Sequence, residues 1–369
     1  MRVFPPSGPN RVNVLRRAAL GCRFPRCSGS SAGCARGGDA SPRPGIALAV
    51  GLIAVSVCLV GTGPARGQFD DEPASASGAA TVQRWRFGVV LTADGGSFRG
   101  ITATTTIPMD WPEQRVRVVA RDISPGVKVS EQPVEEFGRQ MVVRIPHLAA
   151  GAEARAVMTF EIQRRAQPAP EDPDLYVLPD PKRLPRKMAV YLAPGPHVES
   201  NDPEIQAAAM RLGAEEPTAW GRVKAIYLWV KGKIEYEDNR GREIRSAAEA
   251  LRAGKGDCDE ITSLFVAVCR AAGVPARTVR VPGHCYPEFY LLDGRGEGHW
   301  FPCESTGPPI FGAMPNLRPV LQKGDNVLLP APEARTKRKI RYRFFPDEVR
   351  VADGPRGTLQ PQFLCEPEK

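Results

Sequence analysis

Residues 253–273 read AGKGDCDEITSLFVAVCRAAG, and one cysteine, Cys258, stands between two aspartates just after Gly254 and Gly256. The apolar positions Ile261, Leu264, Phe265, Val268, Cys269 and Ala272 recur at helical spacing, so a helix begins at or beside Cys258. At 100° per residue Cys258 lies about 20° from Phe265 and faces the buried side. Asp257 is the natural N-cap. A cysteine in the first turn sits among free N–H groups at the positive end of the helix dipole, which favours thiolate over thiol. The two glycines would let backbone come close to a substrate. The structural alternative is a cysteine used as a small buried hydrophobe.

A thiolate nucleophile needs an imidazole, and the chain has four histidines. His147 ends a strand-like run, His197 lies in a Pro-Gly-Pro loop and His299 at a hairpin base, none with an evident partner. His284 differs. In HCYPEFYLL, His284, Tyr286, Glu288 and Tyr290 share one strand face, and in HWFPCE, Trp300, Pro302 and Glu304 share another. With Asp293, Gly294 and Arg295 as a three-residue hairpin loop, His284 falls opposite Glu304. A carboxylate there fixes the imidazole tautomer and stabilises imidazolium. The same register sets Cys285 opposite Cys303 on the other face, as neighbouring thiols or a strained disulfide. Glu288 reads as a strand-face residue supporting the site.

GDCDEITSLFVAVCRAAGVPARTV, then HCYPEFYL, then HWFPCEST resembles the core of the transglutaminase-like superfamily over about residues 220–306. The resemblance implies an α+β, papain-like core in which the cysteine helix packs on an antiparallel sheet. By motif position it implies Cys258 as nucleophile, His284 as base and Glu304 as third member. Glu stands where the family usually carries Asp, which sets the carboxylate further from its backbone. The implied chemistry is acyl transfer or hydrolysis at amide bonds of a protein or peptide substrate through a Cys258 thioester, without metal or other cofactor. The developing oxyanion needs donors. The Cys258 N–H is one candidate, and Tyr236 and Trp229 are side-chain candidates whose alternative role is helix packing. The other function class is a non-catalytic envelope scaffold or binding module, against which the intact Cys, His and acid argue.

These residues must be positioned by the elements around them. Asp202-Pro203 opens a helix, residues 217–236 carry a second at Val223, Ile226, Tyr227 and Val230, and Ser246 with Glu249 forms a capping box before Gly254. This second domain spans 187–350. Ahead of it, residues 81–165 alternate in short runs broken by Gly, Pro and Asp, as in a small antiparallel β-sandwich. Residues 166–186 are proline-rich, a linker or extended crossing segment. Beyond the site, Ile340, Tyr342 and Phe344 alternate in an edge strand whose basic run, 337–343, reads as a solvated edge. Residues 351–369 read as a C-terminal tail.

The first 44 residues hold eight arginines and one acid, residues 45–61 carry no charge, and ARGQ follows with small residues at Ala65 and Gly67. That is a secretory signal over 1–67, or, if uncleaved, a membrane anchor through 45–61 with the rest exported. Residues 68–80 read as a disordered linker. The net charge of +9 belongs almost wholly to this leader, because nine arginines and one aspartate in 1–67 leave 41 basic and 40 acidic residues beyond it. The basic balance is therefore no sign of nucleic-acid binding. Of nine cysteines, Cys258, Cys269, Cys285, Cys303 and Cys365 remain after the leader, with no CxxC pair to suggest zinc. Nothing in the sequence sets the oligomeric state.

Overall fold

The computed structural model describes residues 80–238, 243–330, 339–354 and 357–368, with a two-residue strand β1 (Asn13–Val14). The apolar run 45–61 and the linker up to residue 79 lie outside the described residues. Among the described residues no helix is long and apolar enough to cross a membrane.

Strands β2 (Thr81–Asp94), β3 (Phe98–Ile107), β4 (Gln114–Ile123), β5 (Lys128–Val134), β6 (Gly138–Leu148) and β7 (Glu153–Arg164) form two antiparallel layers. Alternation decides what they bury. Trp85, Phe87, Val89, Leu91 and Ala93 of β2 meet Ala154, Ala156, Met158, Phe160 and Ile162 of β7 in one apolar cluster with Ile101, Ala103, Met141 and Val143. Phe87 packs edge-on against Phe160 with centroids 5.7 Å apart.

The proline-rich segment is an extended crossing strap. Gln167 bridges to Met314, Val177 bridges to Leu292, and the Tyr176 ring sits edge-on to Phe301 at 4.8 Å.

Helix α1 (Pro203–Gly213) is capped by Asp202, whose carboxylate accepts from the Glu204 and Ile205 amides, and α2 (Ala219–Lys233) by Thr218. Strand β8 (Glu235–Tyr236) follows, then α3 (Ala247–Ala253) with the full Ser246–Glu249 capping box, and β9 (Lys255–Gly256), parallel to β8. Helix α4 (Cys258–Ala271) is the centre of this half, with every residue from Glu260 to Arg270 buried. It packs on β10 (Ala276–Val281), β11 (His284–Leu292) and β12 (Gly298–Pro302), with Phe265, Phe289, Phe301 and Trp220 in one cluster.

The later strands tie the two halves together. Strand β13 (Gln322–Lys323) pairs with β10 on one side and, through Gln322 and Gly138, with β6 on the other. One sheet therefore runs β12-β11-β10-β13-β6-β3 and on to β16 (Glu348–Arg350), with β5 on β6. Strands β14 (Val327–Pro330) and β15 (Lys339–Tyr342) form a separate hairpin. Residues 351–369 are more than a tail: β17 (Thr358–Pro367) pairs with β2 along its whole length and buries Leu359 in the sandwich. The sequence does not reveal this, because a ten-residue strand with two prolines carries little local signal and its partner lies at the other end of the chain.

Candidate active site

The loop before Cys258 is shaped by its neighbours. Gly254 closes α3 in the left-handed region at φ +65°, a conformation only glycine adopts without strain. Gly256 is required by packing, because a Cβ there would fall 2.4 Å from Glu260 Cβ. The two glycines thus serve a cap and a close contact. Asp257 caps α4 reciprocally. Its carboxylate accepts from the first-turn amides of Asp259 and Glu260, and Glu260 Oε2 accepts from the Asp257 N–H at 2.9 Å. The Cys258 N–H, at the first helical position, has no intrahelical acceptor.

His284 opens β11 beneath this turn. Its Nε2 lies 2.8 Å from Glu304 Oε1, and the ring also hydrogen-bonds the Cys258 thiol. The Cys285 thiol lies beside the Cys258 sulfur and donates to the Cys258 carbonyl and Asp259 Oδ1, each at 3.4 Å; its interaction with Cys258, together with that of His284, outweighs burial and draws the Cys258 pKa from 9.0 to about 5. Burial alone would lower His284, but hydrogen bonds to Cys258 and Glu304 prevail and raise it from 6.5 to about 9. Burial raises Glu304, and the His284 hydrogen bond more than offsets it, so the carboxyl titrates below its ordinary value. Between about pH 5 and about pH 9 the pair is thiolate and imidazolium. Asp257 moves the other way, up to about 8, through burial, a hydrogen bond shared with Glu260 and the adjacent Cys258.

The hairpin register is displaced by two residues from the expected one, because the three-residue loop is 294–296 in place of 293–295. Asp293 pairs with Glu297, Gly296 takes φ +80°, and Asp293 Oδ1 accepts from the Arg295 and Glu297 amides. Phe289 then lies opposite Phe301, and Cys285 falls beside Ser305, whose hydroxyl donates to the Cys285 carbonyl at 2.9 Å. The expected Cys285–Cys303 neighbours are thus separated. Cys285 turns to Cys258, while Cys303 joins Cys269 in the helical core, and all five described cysteines are free thiols. Glu304 still reaches His284 because the shift preserves the strand face.

Several contributors carry no local sequence signal. Tyr227 of α2 donates its hydroxyl to the Glu304 carbonyl at 2.8 Å and accepts from the Ile310 amide at 3.0 Å, fixing the loop that presents Glu304. Arg343, expected on a solvated edge, is buried and reaches Asp259. His299, expected to lack a partner, holds Asp293 Oδ2 at 3.0 Å. Of the oxyanion candidates, Tyr236 is 60% exposed on β8, in register with Gly256 at the rim of the nucleophile loop. Trp229 packs against the helical core, and no described contact carries it to Cys258. Glu288 is fully buried between Arg277 and Lys323. Two groups bring metal-capable atoms within 4.8 Å of one another, Cys258 with Asp259 and Cys285, and Asp293 with Glu297 and His299. In the first, Asp259 is already neutralised by Arg343.

Residues 206–305 match the model of the Transglutaminase-like superfamily. Kyphoscoliosis peptidase of Mus musculus is 37% identical over 67 residues, 17% of this chain and 10% of that protein. Its Homo sapiens counterpart is 36% identical over 74 residues, 19% and 11%. The chain thus spans only about a tenth of the length of these curated relatives. The crystal structure of a candidate cysteine protease from Cytophaga hutchinsonii superposes with a TM-score of 0.50 at 14% identity, covering 78% of this chain and 98% of that one, a likeness of fold. Residues 206–305 are a transglutaminase-like core, set in an α+β chain behind a β-sandwich.

Proposed function

We propose that the chain is an exported thiol enzyme that acts on amide bonds of a protein or peptide through a thioester on Cys258. The observation that carries this reading is the Cys258–His284–Glu304 arrangement, with the imidazole beside the thiol and its Nε2 2.8 Å from the Glu304 carboxylate. The Cys258 thiolate attacks the carbonyl carbon, and the electron pair moves to oxygen. The Cys258 N–H receives that oxyanion, with Tyr236 as the side-chain candidate for a second donor. His284 imidazolium protonates the leaving amine, the C–N bond breaks and a thioester remains. Water or an acceptor amine then adds to the thioester, neutral His284 takes its proton, and the thiolate departs. Glu304 keeps the ring in the tautomer that both half-reactions require.

Export rests on the arginine-rich leader and the uncharged run 45–61, and an exported location suits a protein or peptide substrate. The test is a panel of glutamine-containing peptides offered with and without a primary amine. Ammonia release or amine incorporation by wild type, and neither by Cys258→Ala, is the expected result. Equal turnover by the variant sinks the assignment.

A further inference from the structure

The family match ends at residue 305, yet the surroundings of the nucleophile continue past it. Arg343, just after β15, brings a guanidinium into the protein with its side chain only 4% exposed. A buried cation is costly unless paired. Its partner is Asp259, the residue after the nucleophile: Nη1 lies 3.0 Å from Asp259 Oδ1, and Nη2 donates to the Asp259 carbonyl at 2.9 Å. Nη2 also approaches Cys285 Sγ at 3.8 Å.

Asp259 and Cys285 both bear on Cys258. A ligand oxygen of Asp259 and the two sulfurs all lie within 4.8 Å of one another. The single S–H of Cys285 reaches Asp259 Oδ1 and the Cys258 carbonyl, each at 3.4 Å. An unpaired Asp259 would repel a thiolate on Cys258.

We propose that Arg343 is a positioning residue for the nucleophile: it holds Asp259 in an ion pair and so compensates a carboxylate charge that lies within 4.8 Å of the Cys258 sulfur. The inference rests on the reading of Cys258 as a thiolate nucleophile. The charged and titratable groups around Cys258 are Asp257, Asp259 and Glu260 from its own helix and cap, His284 and Cys285 from β11, Glu304 from the loop after β12, and Arg343. Arg343 is the cation that faces Asp259. A lone charge at this separation, in the dielectric of a partly exposed site, moves a neighbouring pKa by about one to two units.

The test is the pH dependence of iodoacetamide alkylation at Cys258 in the whole chain, read by mass spectrometry of the Cys258 peptide. Arg343→Met raises the midpoint by about one to two units, and Arg343→Lys recovers part of that shift. Removing the anion as well, in Asp259→Asn/Arg343→Met, returns the midpoint toward wild type, whereas a merely structural Arg343 would leave the double variant as displaced as the single one. If Arg343→Met does not fold, Asp259→Asn alone decides, because keeping the guanidinium without the carboxylate lowers the midpoint. A folded Arg343→Met with the wild-type midpoint, an Asp259→Asn midpoint that does not fall, or a double variant no better than the single one overturns the proposal. A wild-type protein with no reactive arm near pH 5 instead removes the nucleophile reading, and this inference with it.

Discussion

Strand β11 carries two buried ionic clusters four residues apart, and they behave in opposite ways. At Glu288 the carboxylate is wholly buried, held by Arg277 at 2.6 Å and Lys323 at 3.1 Å, with Glu113 2.7 Å from Lys323 and the Arg277 guanidinium 3.8 Å over the Trp300 ring. Burial would raise Glu288, but Lys323 and Arg277 outweigh it and force its pKa down to about 2. Glu288 and Arg277 are both held in their charged forms at neutral pH. At His284 the pairing is with a thiol and one carboxylate at a half-buried surface, and the two central pKa values, about 5 and about 9, bracket neutrality. Both clusters stabilise charge. Only the second uses groups whose proton can move near neutral pH, and in it Cys258 is only partly buried. The second cluster differs from the first in being built from partners that titrate on either side of neutral pH, the pattern expected of a candidate reactive site.

The comparison is broken most severely at Cys258. Cys258→Ala removes turnover altogether and leaves thermal unfolding near wild type, as calorimetry beside a peptide assay would register. Glu304→Gln comes next and lowers kcat by about a hundredfold to ten-thousandfold, because the imidazole loses its orientation and its counter-charge. In wild type kcat/KM forms a bell: the acid limb, near pH 5, is protonation of the Cys258 thiolate, and the alkaline limb, near pH 9, is loss of the His284 proton. Glu304 supports the raised value of His284, so the glutamine variant draws the alkaline limb to lower pH.

Glu288→Gln strikes the other cluster. It leaves Lys323 and Arg277 short of a buried counter-ion and costs about 3–5 kcal/mol of stability, measurable by urea unfolding. The pH limbs of whatever folds stay in place. For a carboxylate with a depressed folded pKa the stabilisation is present above its ordinary value of 4.5 and disappears as pH falls through about 2, so wild type loses this contribution only in strong acid. A Glu288→Gln variant with wild-type stability but displaced limbs would reverse the roles assigned to the two clusters. The smallest effect is at His299, 41% exposed beside Asp293, where His299→Gln leaves both the unfolding midpoint and the limbs close to wild type.

Much of the site region was legible because local rules govern it. The Asp257 cap, the Ser246–Glu249 box, the αL Gly254 and the buried face of α4 each follow from a few consecutive residues. The strand faces of His284 and Glu304 survive a change of hairpin loop because alternation has period two, so a register displaced by two residues keeps both on one side. The positions of Cys285 and Cys303 depended on that register itself and were misplaced. Two domains separated by a linker was also a local reading. One β13–β6 contact makes their sheets continuous, and the last strand returns to the first part of the sandwich.

The sequence by itself determined that a cysteine opens a buried helix, that a histidine and a carboxylate follow on strands, and that the chain carries a transglutaminase-like pattern around them. Caps, periodicity and motif spacing are written in neighbouring residues. Only the tertiary structure decided that Arg343 neutralises Asp259, that Cys285 lies beside Cys258, that Tyr227 holds the Glu304 loop and that β17 completes the sandwich. Contacts across tens to hundreds of residues are selected by the collective packing of the core and the pairing of buried charges, and no local stretch of chain encodes them.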